Sequence, residues 1–290
     1  MREHQPVMVK QVLEYLNPQE GGMYIDATCG SGHHARAILE HTDGKAKIIC
    51  IDKDPRAILR AKKYLKQFSD SVIFVNDGFE NIEQIVKRIN AERISGILFD
   101  LGFSSEQISD SEAGFGFRQD GMLDMRFNPE SPVSAYDVVN SYPEYEIKRI
   151  LFEYGEMKDA EKIAHLICEE RKKRPIRTTR QLADLIASCR KKRGNIHPAT
   201  QVFQAIRIYV NNELENLKSG LNGALKVLMP GGRIVVISYH SLEDRIVKKF
   251  MKSSNKLRML FKKVIVPDQM EKVINPCARS AKMRVAEVIN

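Results

Sequence analysis

The hydrophobic positions along this chain follow one rhythm, lose it, and take it up again. In the N-terminal third, short apolar or β-branched runs at 23–27, 47–52, 72–76 and 96–100 predict strands, three of them ending at or beside an acid. Between them, 34–41, 55–68 and 81–90 predict helices; in the second, Ile58, Leu59, Ala61 and Leu65 recur at helical spacing. Repeated β-α units imply a parallel sheet covered by helices on both faces. Ligands of such sheets lie at the carboxyl ends of the strands, where these acids stand.

After Asp100 the rhythm breaks. Gly102, Gly114, Gly116, Gly121, Pro129 and Pro132 punctuate 101–132, which predicts a long ordered loop, a feature that compact domains keep for function. Helical patterns alone follow, at 135–140, 144–152, 160–173 and 179–193. The stretch 201–228 carries Phe203, Ile206, Val210, Leu214, Leu217 and Leu221, which predicts one helix, stopped by Pro230-Gly231-Gly232. The run 233–238 (Arg-Ile-Val-Val-Ile-Ser) predicts a buried strand, and 257–266 and 282–289 supply the last two. The expected organisation is a sheet domain over 1–102, a loop plus helical insert for substrate recognition over 103–198, and the rest of the sheet domain over 199–290.

Composition fits this plan. The chain has 290 residues, 43% hydrophobic and 29% charged, as in a globular protein. Its longest strongly apolar stretch, around 234–237, is far too short for a membrane span, and the first residues lack the apolar core of a signal peptide. A cytoplasmic location is the expectation. The five cysteines are scattered with no C-x-x-C pair, which argues against a disulfide framework or a structural zinc site. No His/Cys/acid cluster calls for a catalytic metal.

Charge adds more. The net +9 is concentrated in two blocks. From Arg171 to Arg193 there are ten Lys/Arg against Asp184 alone, and from Arg245 to Arg284 twelve against Asp268 and Glu271. The blocks carry +9 and +10, so the remainder of the chain nets −10. A single run such as Arg171-Lys-Lys-Arg is ordinarily a solvated helix end; two blocks of this size point to a polyanion such as RNA.

The candidate chemistry sits at the strand ends. Tyr24-Ile-Asp26-Ala-Thr-Cys-Gly30-Ser-Gly32-His-His opens a helix after the first strand, with glycines that let the backbone approach a ligand. Alone it is a weak signal, because it also fits a dinucleotide site. Asp52, at the tip of the second strand, suits two ribose hydroxyls but does not say which cofactor. Asp26 favours S-adenosylmethionine: a carboxylate there meets the methionine ammonium and repels a pyrophosphate. Asp77-Gly78-Phe79 suits an adenine platform, with Phe79 as a stacking or packing surface. The competing account is that Asp26, Asp52 and Asp77 only cap turns.

Longer segments carry a family resemblance. They include Tyr24-Ile-Asp26-Ala-Thr28, Ile51-Asp-Lys-Asp-Pro55, Leu98-Phe-Asp-Leu-Gly-Phe-Ser-Ser-Glu-Gln107 and Gly114-Phe-Gly-Phe-Arg-Gln-Asp-Gly-Met-Leu-Asp-Met-Arg126. Further along stand His197-Pro-Ala-Thr-Gln-Val-Phe-Gln-Ala-Ile-Arg207, His240-Ser-Leu-Glu-Asp-Arg245 and Asn275-Pro-Cys-Ala-Arg-Ser280. In this order they resemble the MraW-type small-subunit ribosomal RNA cytosine-N4 methyltransferases over nearly the whole chain. The resemblance implies an α/β fold: a class I S-adenosylmethionine-dependent methyltransferase (Rossmann-like) sheet with an inserted all-helical domain. It implies that Gly32, His33, His34, Asp52, Phe79, Asp100 and Gln107 hold S-adenosylmethionine, beside Asp26 and Gly30. It also implies small-subunit ribosomal RNA as partner, within an assembled or late-assembling subunit, and a target near the decoding centre. His33 replaces a usual glycine, and Cys277 stands where an arginine is usual.

The reaction asks for orientation more than for acid–base work, because the sulfonium is already a good leaving group while the cytosine amine is conjugated with its ring. Asp100 is the natural acceptor for that amine, with its own carbonyl or that of Leu101; a purely structural role for Asp100 is the other option. Phe103 is the candidate for stacking on a flipped base. Asp120, Asp124 and Arg126, in the glycine-rich loop, are candidates for base contacts or for ordinary loop bonding. His240 and Glu243 are candidates for lining the pocket or for capping a helix. The rivals are a paralogue acting on another cytosine, a C5-cytosine methyltransferase with Cys277 as nucleophile, an NAD-dependent oxidoreductase, and a non-enzymatic RNA-binding assembly factor. Cys277 is expected to lie away from the strand ends.

Overall fold

The computed structural model describes residues 6–102, 113–117, 120–190 and 197–289. These divide into two compact units, one of 1–103 with 214–290 and one of 104–213. The helix Thr200–Val210 belongs to the second of these units, whereas the pattern of the sequence places 199–290 with the sheet.

The first unit is a seven-stranded sheet of order β3-β2-β1-β4-β5-β7-β6. Its strands are β1 (Met23–Asp26), β2 (Lys47–Asp52), β3 (Val72–Asn76), β4 (Ile94–Asp100), β5 (Leu228–Ser238), β6 (Leu257–Met259) and β7 (Lys282–Val288). The neighbours from β3 to β5 are parallel, and β7 runs antiparallel to β5 and β6. Strand order reverses between β1 and β4, which opens a crevice at their carboxyl ends. The register pairs Asp26 with Leu98 and Asp100 with Ile237, so the strand-tip acids arrive at one edge.

The strands are apolar on both sides because both sides are covered. On one face Ile25, Ile49, Ile97, Phe99 and Val236 pack with α4 (Ile82–Arg88), α10 (Glu213–Val227) and α11 (Ser241–Ser253). On the other, Tyr24, Ile48, Leu98 and Val235 pack with α1 (Val9–Leu16) and α2 (His33–His41). Helix α3 (Pro55–Tyr64) starts at an Asp54 side chain that accepts the Arg56 amide N–H.

The second unit has its own core. Val138, Ile150, Leu151, Ile163, Ile167, Leu182, Ile186, Val202 and Ile206 meet inside five helices. These are α5 (Ala135–Ser141), α6 (Glu144–Gly155), α7 (Ala160–Lys173), α8 (Thr179–Cys189) and α9 (Thr200–Val210). Capping boxes at Ser134/Asp137 and Thr178/Gln181 fix two of the starts.

Three expectations are corrected. The stripe over 201–228 is two helices, α9 and α10, because Asn212 takes φ 50° and Asn211 is bound on every side. Asn211 Nδ2 donates to the Met125 and Arg207 carbonyls, and its Oδ1 accepts the Phe127 amide. The helix expected over 55–68 ends at Tyr64 and tightens into a 3₁₀ segment, Lys66–Ser71. Of the strand expected over 257–266 only Leu257–Met259 pairs continuously, with one bridge from Ile265 to Met283. Helices α1 and α12 (Gln269–Ile274) had no counterpart in the sequence reading.

Candidate active site at the strand ends

The loop after β1 is fixed by its neighbours before any ligand is considered. Ala27 N–H donates to the Leu98 carbonyl and Cys29 N–H to the Ile51 carbonyl, so the loop spans β4 and β2. Gly30 takes φ 53° and Gly32 φ 88°, a region where a side chain is strained. At Gly32 a Cβ would also lie 2.9 Å from Leu65 Cδ1. Gly32 then caps α2, which begins with His33 and His34.

Each sequence-chosen acid has a different environment. Asp26 is 1% exposed; its Oδ1 is 3.4 Å from the Thr28 amide, and its Oδ2 is buried with no hydrogen-bond partner among the described residues. Burial, with Asp100 and Asp52 adding repulsion against the pull of His34, pushes its pKa up to about 6. That is a poor way to cap a turn and a good way to hold a cation. Asp52 does both jobs. Its Oδ2 accepts the Gly30 amide at 2.8 Å and its Oδ1 the Asp54 amide at 2.9 Å, which leaves one lone pair on each oxygen. Burial also raises Asp52 to about 6, against those two hydrogen bonds. Asp77 does cap its turn, accepting from Gly78 N–H and Asn81 Nδ2.

Asp100, at the tip of β4, is the most heavily supported. Its amide donates to Thr28 Oγ1 at 2.7 Å. Tyr239 Oη donates to its Oδ1 at 2.7 Å, and His34 Nε2 lies 3.3 Å from its Oδ2. Burial pulls His34 down, but the hydrogen bond and charge of Asp100, with Asp26 and Glu271 behind it, more than reverse this, so the imidazole is raised. Burial and the charge of Asp100 push the Tyr239 hydroxyl well above the ordinary phenol range. The tyrosine therefore stays a donor.

The structure gathers Asp26, Gly30, Gly32, His34, Asp52 and Asp100 at one sheet edge. His33 packs on the Tyr64 ring, centroids 4.6 Å apart. Phe79 is half-buried, edge-on to Phe99 at 5.6 Å and against Gly220, so much of its ring is already a packing surface. Phe103 and Gln107 lie outside the described residues. His240 and Glu243 form a capping box for α11: Glu243 accepts the amides of Tyr239 and His240, and its own amide reaches His240 Nδ1. Asp124 and Arg126, in the other unit, are bound to each other at 2.7 and 2.9 Å, and Asp120 accepts the Arg180 amide.

Two residues were missed. Tyr239 follows β5 directly, and the pairing of β5 beside β4 brings it to Asp100; only the strand order reveals that. Thr28 lay in plain view within the glycine loop. Cys277 was expected far from the strand ends, yet the turn Pro276–Ser280 returns close enough for the thiol to be among the groups raising Tyr239.

Residues 1–289 match the MraW methylase family. The chain belongs to that family. Relatives agree over full length. The ribosomal RNA small subunit methyltransferase H of Carboxydothermus hydrogenoformans is 43% identical, over 99% of this chain and 98% of that protein. The protein of the same name from Thermotoga neapolitana is 46% identical, over 99% and 96%. This MraW-family methylase is an enzyme whose methyl donor is S-adenosylmethionine. The unpartnered buried Asp26 Oδ2 fits that group, since it offers a carboxylate to the cofactor's ammonium where a phosphate would be repelled. Among the described residues no helix is long and apolar enough to cross a membrane.

Proposed function

We propose that this methylase transfers a methyl group from S-adenosylmethionine to the exocyclic N4 amine of a cytosine in small-subunit ribosomal RNA. The substrate class rests on the full-length relatives, whose name states it, and on the two basic blocks of an otherwise acidic chain. The cofactor supplies an activated methyl on sulfur. The chain supplies position and charge. Asp26 holds the ammonium, Asp52 the ribose hydroxyls, and Gly30, Gly32, His33 and His34 the loop that approaches the cofactor, with Phe79 and Gln107 completing the site.

Asp100 accepts a hydrogen bond from the cytosine amine and aims its lone pair at the methyl group. The observation that carries this role is the pinning of the Asp100 carboxylate from both sides by Tyr239 and His34. A carboxylate so held needs no reorganisation when the amine arrives, and each oxygen keeps a lone pair for it. Phe103, three residues after Asp100 in the sequence, is the proposed stacking partner of the base. The substrate is an assembled or late-assembling small subunit in the cytoplasm, and the insert, 103–198, recognises it. Mass-spectrometric mapping of ribosomal RNA from cells with and without this gene tests the proposal. Loss of one N4-methylated cytosine supports it; an unchanged map overturns it.

A further inference from the structure

The second basic block contains more than a diffuse surface charge. Beside the strand-end site is a cavity of about 250 Å³. Its lining includes Tyr239, Ser241, Ser280, Lys272, Arg279 and Lys282. Three cations and three hydroxyl side chains line one small space, and among the described residues no carboxylate pairs with Lys272, Arg279 or Lys282, while Arg279 Nε donates to the Lys272 carbonyl at 3.2 Å. Elsewhere in the unit Lys45 pairs with Glu20, Lys53 with Glu80 and Arg284 with Asp244. Of the neighbouring acids, Glu243 is 3% exposed and accepts the amides of Tyr239 and His240, and Glu271 accepts the Met8 amide.

We infer that this cavity is a phosphate-binding subsite for the RNA backbone next to the target nucleotide. The inference rests on the RNA methylation proposed above and specifies which atoms grip the strand. Three points favour a phosphodiester. Among the described residues no carboxylate neutralises the cations, and the donors (ammonium, guanidinium, hydroxyl) match phosphate oxygens. The volume suits a small anionic group. Above all, Tyr239 forms part of the cavity wall while its hydroxyl donates to Asp100, so one side chain joins the cavity to the acceptor of the reacting amine. A base taken out of its stack carries its flanking phosphates with it, and a grip on one of them fixes how far the base reaches.

The test is a triple variant, Lys272→Gln, Arg279→Gln and Lys282→Gln, in the full chain. Its control is Lys62→Gln, Lys63→Gln and Lys66→Gln, which removes the same charge from exposed positions in and after α3. Binding to small subunits from cells lacking the gene is measured by filter retention across a salt series, with methyl transfer and S-adenosylhomocysteine affinity in parallel. The cavity variant is expected to raise the apparent Kd and KM for subunits on the order of tenfold and to flatten the salt dependence, because phosphate contacts release counterions. Its S-adenosylhomocysteine affinity and melting temperature should match wild type, which separates a lost subsite from a lost fold. Unchanged subunit binding, or an equal loss in the control, overturns the inference. Inorganic pyrophosphate that binds the wild type but does not compete with subunits would assign the cavity to a free anion instead, and overturns it too. Wild-type protein that binds subunits without methylating them refutes the proposed function while leaving the subsite standing; protein that does neither refutes both.

Discussion

Replacing Asp26 by asparagine should move stability and cofactor affinity in opposite directions. In the free protein the carboxyl is buried, one oxygen has no partner among the described residues, and the pKa stands at about 6 against an ordinary 3.8. A carboxyl raised in the folded state favours folding at low pH, and that advantage is lost as pH rises through about 6. At neutral pH the buried charge therefore costs about 3 kcal/mol relative to an unperturbed carboxylate. Asn removes that cost but brings an amide donor that lacks a partner, which returns about 1–3 kcal/mol. The free Asp26→Asn protein should thus melt at or above the wild-type temperature. With cofactor bound the sign reverses, because a charge-assisted bond to the ammonium disappears. A loss of about 1.5–3 kcal/mol weakens S-adenosylhomocysteine roughly 10- to 150-fold. Thermal melts with and without that ligand, together with calorimetric titration, read both effects. A destabilised free variant with unimpaired affinity would refute the reasoning, since Asp26 would then be a structural cap.

Other consequences follow from the same geometry. Because Asp26 and Asp52 both sit at about 6, S-adenosylhomocysteine affinity should fall as pH is lowered from 7 to 5, and a flat titration would count against both assignments. Tyr239→Phe frees one Asp100 oxygen from its donor and should lower kcat about tenfold, with little change in S-adenosylhomocysteine Kd; a change in Kd alone would contradict a positioning role. Gly32→Ala forces a side chain to φ 88° and against Leu65, so it should cost about 1–3 kcal/mol of stability in denaturant unfolding. Cys277→Ser should retain methyl transfer, and RNA containing 5-fluorocytosine should leave no covalent adduct; inactivation by that substitution would favour a cysteine nucleophile despite the family.

What the sequence shows of this fold follows from what each element needs. A strand buried on both faces is nearly all apolar, so β2 could be located to the residue from pattern alone, and the edge strand β3 was equally legible from its β-branched and aromatic run Val72–Val75. The break between α9 and α10 was invisible because the apolar stripe runs straight through it. What ends α9 is a set of bonds from Asn211 to the Met125 and Phe127 backbone, remote in sequence. Short α1 escaped notice for a different reason, having only Val12 and Leu16 fully buried. The strand-tip acids were legible because a parallel sheet brings successive tips to one edge. Tyr239 was not, since its bond to Asp100 depends on β5 lying beside β4, a fact of strand order. The return of the Cys277 turn toward Tyr239 depends likewise on the antiparallel β7.

In the proposed reaction a pinned strand-end carboxylate orients a cytosine amine toward an activated methyl. The most direct measurement of this uses purified protein, isotopically methyl-labelled S-adenosylmethionine and small subunits from cells lacking the gene, followed by nucleoside mass spectrometry. Label in N4-methylcytidine is expected with the wild type and its loss with Asp100→Ala, which should still bind subunits. Label in 5-methylcytidine, or undiminished transfer by Asp100→Ala, would contradict it.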